Sequence, residues 1–116
     1  MKKVIAILLT FLSTNAFATY TCEGVVEGVS INPKNGRVLV EKIGDIIWVE
    51  LCSVESEYNY VNPETCKGIY SLLLTAQSSK KKVMLWFDDE DSGMNCSNHP
   101  NWQALTGWYF GPKLVD

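Results

Sequence analysis

Ile46 to Ser79, IIWVELCSVESEYNYVNPETCKGIYSLLLTAQSS, contains a change of period that decides the fold. In Ile46–Val54, Ile47, Val49 and Leu51 share one face at a spacing of two. Trp48, Glu50 and Cys52 share the other, which predicts a strand. Glu55 to Val61 is polar, carries Tyr58 and Tyr60, and reads as a loop. From Asn62 the spacing becomes three and four. Asn62 is a good helix cap, Pro63 suits the first helical position, and Glu64 complements the positive end of the dipole. Cys66, Ile69, Leu72, Leu73 and Ala76 then predict an amphipathic helix to about Ser79. Tyr70 and Leu74 are apolar on its other flank, which points either to burial at both flanks or to a packing partner.

The flanking sequence supplies strands on both sides. Gly24 to Ile31 (GVVEGVSI) is β-branched and apolar, with Gly28 marking a bulge or bend. Asn32-Pro33-Lys34-Asn35-Gly36 is a turn, because proline cannot join a ladder and Asn-Gly accepts positive φ. Arg37 to Ile43 is a second strand, Gly44-Asp45 turns again, and Ile46 to Val54 is the third. After the helix come three lysines, Lys80 to Lys82, at its negative end. Val83 to Phe87 (VMLWF) reads as a buried fourth strand and Asp88 to Pro100 as a polar loop. Leu105 to Phe110 makes a fifth, with Lys113 to Val115 beyond an interruption at Gly111-Pro112. The order β-β-β-α-β-β predicts a β-rich, five-stranded OB-fold barrel with one helix.

Met1 to Ala18 has the three parts of a secretory leader: a basic start at Lys2-Lys3, an apolar run from Val4 to Leu12, and the small residues of Ala16-Phe17-Ala18. The Lys-Lys start is of bacterial type, and cleavage is expected before Thr19. A membrane anchor would need about twenty apolar residues, and this run is about ten. The expected product is a single domain, Thr19 to Asp116, secreted or periplasmic, with no membrane insertion after cleavage. It carries 8 basic and 13 acidic residues, since the chain has 10 and 13 and the leader holds two lysines. A net charge of −5 disfavours nucleic acid.

Cys22, Cys52, Cys66 and Cys96 are an even set in a short exported domain, which predicts two disulfides. Zinc wants close pairs, whereas the spacings here are 30, 14 and 30. Three pairings are possible. The favoured one joins Cys52 to Cys66, a strand end to a helix start, and Cys22 to Cys96, the amino-terminal segment to a late loop.

With a signal peptide, this length, this strand order, the two-flanked helix Pro63–Ser79 and a Cys22–Cys96 bridge, Cys22 to Phe110 resembles a known architecture. It is that of the B subunits of secreted bacterial toxins, of the cholera-toxin and subtilase-cytotoxin types, which form pentameric rings around their central helices. The resemblance implies a glycan-binding subunit and a homo-oligomer in which Tyr70 and Leu74 face a neighbour. The second cysteine pair and the acidic loop at Asp88 are not matched to that pattern.

Catalytic chemistry has little to work with. His99 is the only histidine, the thiols are expected to be bridged, and no G-x-S-x-G elbow occurs. Asp88-Asp89-Glu90-Asp91 followed by Gly93 touches the calcium-loop pattern, but His99 stands where the terminal glutamate belongs. Consecutive loop acids are also a poor glycosidase pair, which needs a sheltered acid. Asn95-Cys96-Ser97 is a weak glycosylation sequon. We therefore expect no enzyme, no metal and no cofactor. Aromatic faces beside amides hold sugar rings, which makes Trp102, His99, Asn98, Tyr58 and Tyr60 the candidate ligand contacts. Trp48, Trp86 and Trp108 read as core. The alternative to a glycan is a basic protein target, bound by a monomeric, immunity-like inhibitor through Asp88 to Asp91.

Overall fold

The computed structural model describes residues 19–89 and 92–115. The leader reading of residues 1–18, and Glu90 and Asp91 of the acidic run, lie outside them. The elements in chain order are β1 (Tyr20–Glu27), β2 (Ser30–Ile31), β3 (Arg37–Ile43), β4 (Ile46–Ser53), α1 (Pro63–Ser79), β5 (Lys82–Phe87) and β6 (Trp108–Val115). The protein is mostly β-sheet with one helix: an open antiparallel sheet of six strands, with two disulfides.

Five strands were expected, and the sixth arises from Gly28. At φ +66° it sits in the left-handed region that a side chain disfavours. The chain bends there, so the expected first strand becomes β1 and the short β2, both paired with β3. β1 also pairs with β5 over Tyr20–Val25, and β5 pairs with β6. β3 pairs with β4 on its other side. At the carboxyl end, β6 runs without a break through Gly111-Pro112, which was read as an interruption. The peptide there is cis, and Gly111 lies at φ +99°.

The pattern of burial along β4 departs from simple alternation. Ile47 is 42% exposed while Ile46, Val49, Glu50, Leu51 and Cys52 are buried. Trp48 has φ +50°, which breaks the period of two and brings Ile46 and Val49 inward together. Burial continues at both Leu51 and Cys52 because β4 is covered twice. The helix lies against it, joined through Cys52–Cys66, and a returning segment, residues 102–105, runs along its backbone. Glu50 N–H donates to Gln103 O (3.0 Å), Leu105 N–H donates to Glu50 O (2.9 Å), and Glu50 and Ala104 form a parallel bridge.

Helix α1 has the expected bounds. Asn62 Oδ1 accepts from Thr65 N–H at 2.8 Å. The helix ends at Lys80, in the left-handed conformation, whose N–H returns to helix carbonyls. Leu73, Ala76 and Cys66 go into the core with Val38, Val40, Ile43, Leu51, Leu85 and Phe87. Among the described residues no helix is long and apolar enough to cross a membrane.

The disulfides are Cys22–Cys96 and Cys52–Cys66, the favoured pairing. They close loops of very different length, with separations of 74 and 14 residues. In the chain-entropy account, losing the shorter bridge costs about 3 kcal/mol and losing the longer about 4 kcal/mol. The paired variant Cys52→Ala/Cys66→Ala also leaves a cavity at two fully buried positions. Its urea-unfolding free energy should therefore fall by at least about 3 kcal/mol; an unchanged midpoint would show that the bridge adds nothing to the fold.

Candidate functional site

The loop leaving β4 is built from its own backbone. Ser53 Oγ donates to Asn35 O (2.8 Å) and accepts from Glu55 N–H (3.1 Å), which starts the turn. Tyr58 and Val61 then exchange both backbone hydrogen bonds, at 3.1 and 3.0 Å. The two residues between them, Asn59 (φ +57°) and Tyr60 (φ +64°), are both left-handed. This is the two-residue turn of the I′ kind, which favours Asn-Gly because both central residues need positive φ. Here a tyrosine occupies the glycine position, and it is 97% exposed. A bulky residue in that conformation is strained, and exposing its ring gains nothing in the isolated fold.

What holds the turn is Asn59. Its Nδ2 donates to Leu51 O and to Leu105 O, each at 3.0 Å, so one amide joins the loop to β4 and to the returning segment. Tyr58 adds a second hold. Its hydroxyl donates to Glu50 Oε1 at 2.6 Å, and the Arg37 guanidinium lies 4.0 Å from its ring centre. Burial first, and then the Glu50 carboxylate, push the Tyr58 pKa above its usual 10.0, so the phenol stays a donor. Tyr58 thus spends its polar atom inside the protein, whereas Tyr60 is presented outward.

Tyr60 borders a groove of about 570 Å³. Trp108 and Tyr109, at the start of β6, and Asn62 and Thr65, at the first turn of α1, also line it. Asp88, just after β5, is a further lining residue. The groove therefore combines three aromatic rings with hydroxyl, amide and carboxylate groups. Tyr109 is 54% exposed, while Trp108 is half-buried against the core. Asp88 N–H donates to Gly107 O (3.0 Å), which fixes the mouth between β5 and β6.

The other expected contacts lie in different settings. Trp102 is 60% exposed and stacks on Trp48, with ring centres 4.8 Å apart and planes at 15°. Both are left-handed, and Trp102 N–H donates to Trp48 O. This pair is a separate aromatic surface and does not line the groove. Asn98 is engaged inside its loop, accepting from Asn95 N–H (2.7 Å) and donating to Gly93 O (2.9 Å). On the helix, Tyr70 and Leu74 are half-buried, and Tyr70 packs on the core.

His99 is buried, at 8% exposure, with its ring 4.9 Å from Phe87. Tyr20 OH donates to Asp89 Oδ1 at 2.8 Å, and the same oxygen lies 3.0 Å from His99 Nε2. Because that phenolic proton is committed to Asp89, Nε2 is the protonated nitrogen and donates to Tyr20 Oη. Nδ1 is then a bare acceptor, buried without a partner among the described residues. Gly107 makes room for the Asp89 carboxylate, since a Cβ there would collide with it. Of the acidic run, Asp89 is thus occupied internally and Asp88 faces the groove. Among the described residues no group of three or more His, Cys, Asp or Glu side chains could hold a metal.

Burial lowers the His99 pKa below its usual 6.5, an effect that Asp89 partly opposes. In the unfolded chain, His99 takes up its proton first as pH falls. Its contribution to stability is therefore complete above about pH 6.5 and is lost as pH drops toward the folded value. Urea midpoints measured from about pH 8 to about pH 5 should decline, and His99→Phe should flatten that decline. An equal slope in the variant would assign the decline to other groups.

No protein-family model, no curated protein and no solved structure matches this chain.

Proposed function

We propose that the chain is an exported, disulfide-stabilised binding module that takes a glycan in the groove beside Tyr60. Tyr60 carries the reading: a fully exposed ring, on backbone normally left to glycine and held by a half-buried amide clamp, at the rim of a groove. The backbone that carries the ring is held in place, so binding there costs chiefly the side chain's own rotamer freedom. Its face suits the C–H surface of a pyranose, while the neighbouring hydroxyl, amide and carboxylate groups suit the sugar hydroxyls. The two disulfides fit an oxidising compartment, as a leader at Met1–Ala18 would require.

The finer reading of the fold is an OB-type barrel. The strand path runs from β4 through β3, β1 and β5 to β6. The segment just before β6 returns to bond the free edge of β4 in parallel at Glu50 and Ala104, which is the contact a closing barrel needs. In that reading the module is a toxin-like B subunit, and the half-buried flank with Tyr70 and Leu74 is the part of the helix that meets a second copy.

The test is binding of the full chain, expressed through an oxidising export route, to a printed array of oligosaccharides. Tyr60→Ala should weaken every retained glycan at least about tenfold, the scale of losing one stacked ring. It should shift stability by no more than about 0.5 kcal/mol, as expected for an exposed position. Wild-type-like binding by this variant, or no glycan retained by the native chain, would overturn the reading.

A further inference from the structure

We infer that the groove selects uncharged, hydroxyl-rich sugars and rejects acidic ones such as sialylated, uronic or sulfated glycans, an inference that rests on the glycan reading. From Val83 to Pro112 there is no lysine or arginine, and there is none from Asn59 to Thr65. These two stretches supply most of the groove, including Tyr60, Asn62, Thr65, Asp88, Trp108 and Tyr109. Recognition of a carboxylate or sulfate calls for arginine or lysine, or for a set of unspent N–H donors. The closest cation in sequence to the helical wall, Lys67, is paired with Glu64 at 3.2 Å.

The first turn of α1 commits two of its three N–H groups to its own cap. Thr65 N–H is taken by Asn62 Oδ1 at 2.8 Å, and Cys66 N–H by Asn62 O at 3.0 Å. Glu64 adds a negative charge in the same turn. Glu64 N–H alone in this turn is not bonded to the cap, and it lies beside the Glu64 carboxylate's own charge.

What remains is Asp88. Among the described residues its carboxylate makes no side-chain hydrogen bond or ion pair, in contrast to Asp89, which accepts from Tyr20. The Asp88 backbone is fixed by its bond to Gly107 O. An ionised carboxylate is an acceptor only, with two oxygens that can take hydrogen bonds from two neighbouring hydroxyls. Such charge-assisted bonds are stronger than neutral ones. The same charge repels an acidic sugar at close range. One side chain thus supplies both the attraction for a polyol and the rejection of an anion.

The experiment places neutral oligosaccharides and their sialylated, uronic and sulfated counterparts on one array and probes them with the native chain and with Asp88→Asn. This variant keeps the shape of the side chain and replaces one acceptor with a donor. The native chain should retain neutral members and bind each acidic counterpart at least tenfold more weakly. Asp88→Asn should weaken neutral binding about tenfold or more and narrow the gap to the acidic members. Equal or tighter native binding to acidic glycans would overturn this inference while leaving the glycan reading in place. Undiminished neutral binding by Asp88→Asn would overturn the role of the carboxylate. Retention of no glycan of either kind would overturn both.

Discussion

The Asn59 side-chain amide bonds two carbonyls, Leu51 O and Leu105 O, that lie 54 residues apart in sequence and on neighbouring segments in space. A half-buried amide set between two chain segments is costly to leave unpaired, so this contact constrains both at once. It fixes the returning segment 102–105 on the free edge of β4, which continues into β6 and so sets where Trp108 and Tyr109 begin. It also holds the left-handed turn that presents Tyr60. One side-chain amide thus links the two aromatic walls of the groove, alongside the backbone bonds of Glu50 to Gln103 and Leu105. No shorter side chain at position 59 reaches both carbonyls, and glycine, which would relax the backbone, would remove the donor.

Around this clamp the core and the disulfides limit what can move. Cys52–Cys66 joins the end of β4 to the first turns of α1, just beyond Asn62 and Thr65 in the groove floor. Cys22–Cys96 ties the late loop to β1 and keeps His99 against Phe87 and Tyr20. The Tyr20–Asp89 bond then draws Asp89 away from solvent and separates its role from that of Asp88. Adjacent carboxylates in one loop thus have different fates, one structural and one facing the groove. The stability of the β5–β6 end and the chemistry of the groove share the same few residues.

Much of the architecture is legible in the sequence because it rests on local rules. Asn62-Pro63 and the three-and-four spacing give the helix within its observed bounds, since cap chemistry and burial of one face both act over a single element. The cysteine pairing follows from which element ends could meet. β4 is less legible: Trp48 adopts a left-handed conformation that no residue pattern announces, so Ile47 turns outward where alternation would bury it. The continuity of β6 through Gly111-Pro112 is likewise a matter of tertiary pairing with β5. The site is the least legible part, because it is assembled from the β4–α1 loop, the first turn of α1 and the β5–β6 end. Asn59-Tyr60 lacks the Asn-Gly signal of its turn type, and Trp108 and Asp88 look like strand core and solvated acid until the fold brings them together. A strained, exposed tyrosine between Asn59 and Val61 is the only local hint, and it is visible only once the φ angles are known.

In the proposed glycan reading, a ligand enters between Tyr60 and Trp108, and not on the Trp48–Trp102 stack. The four tryptophan indole N–H groups give four separate proton–nitrogen NMR signals, and their response to an array-identified neutral oligosaccharide tests the claim directly. The account predicts that the Trp108 signal moves with saturable dependence on ligand while the Trp48 and Trp102 signals stay in place. Saturable movement of Trp48 and Trp102 with a silent Trp108 would place the site on the other aromatic surface and contradict it.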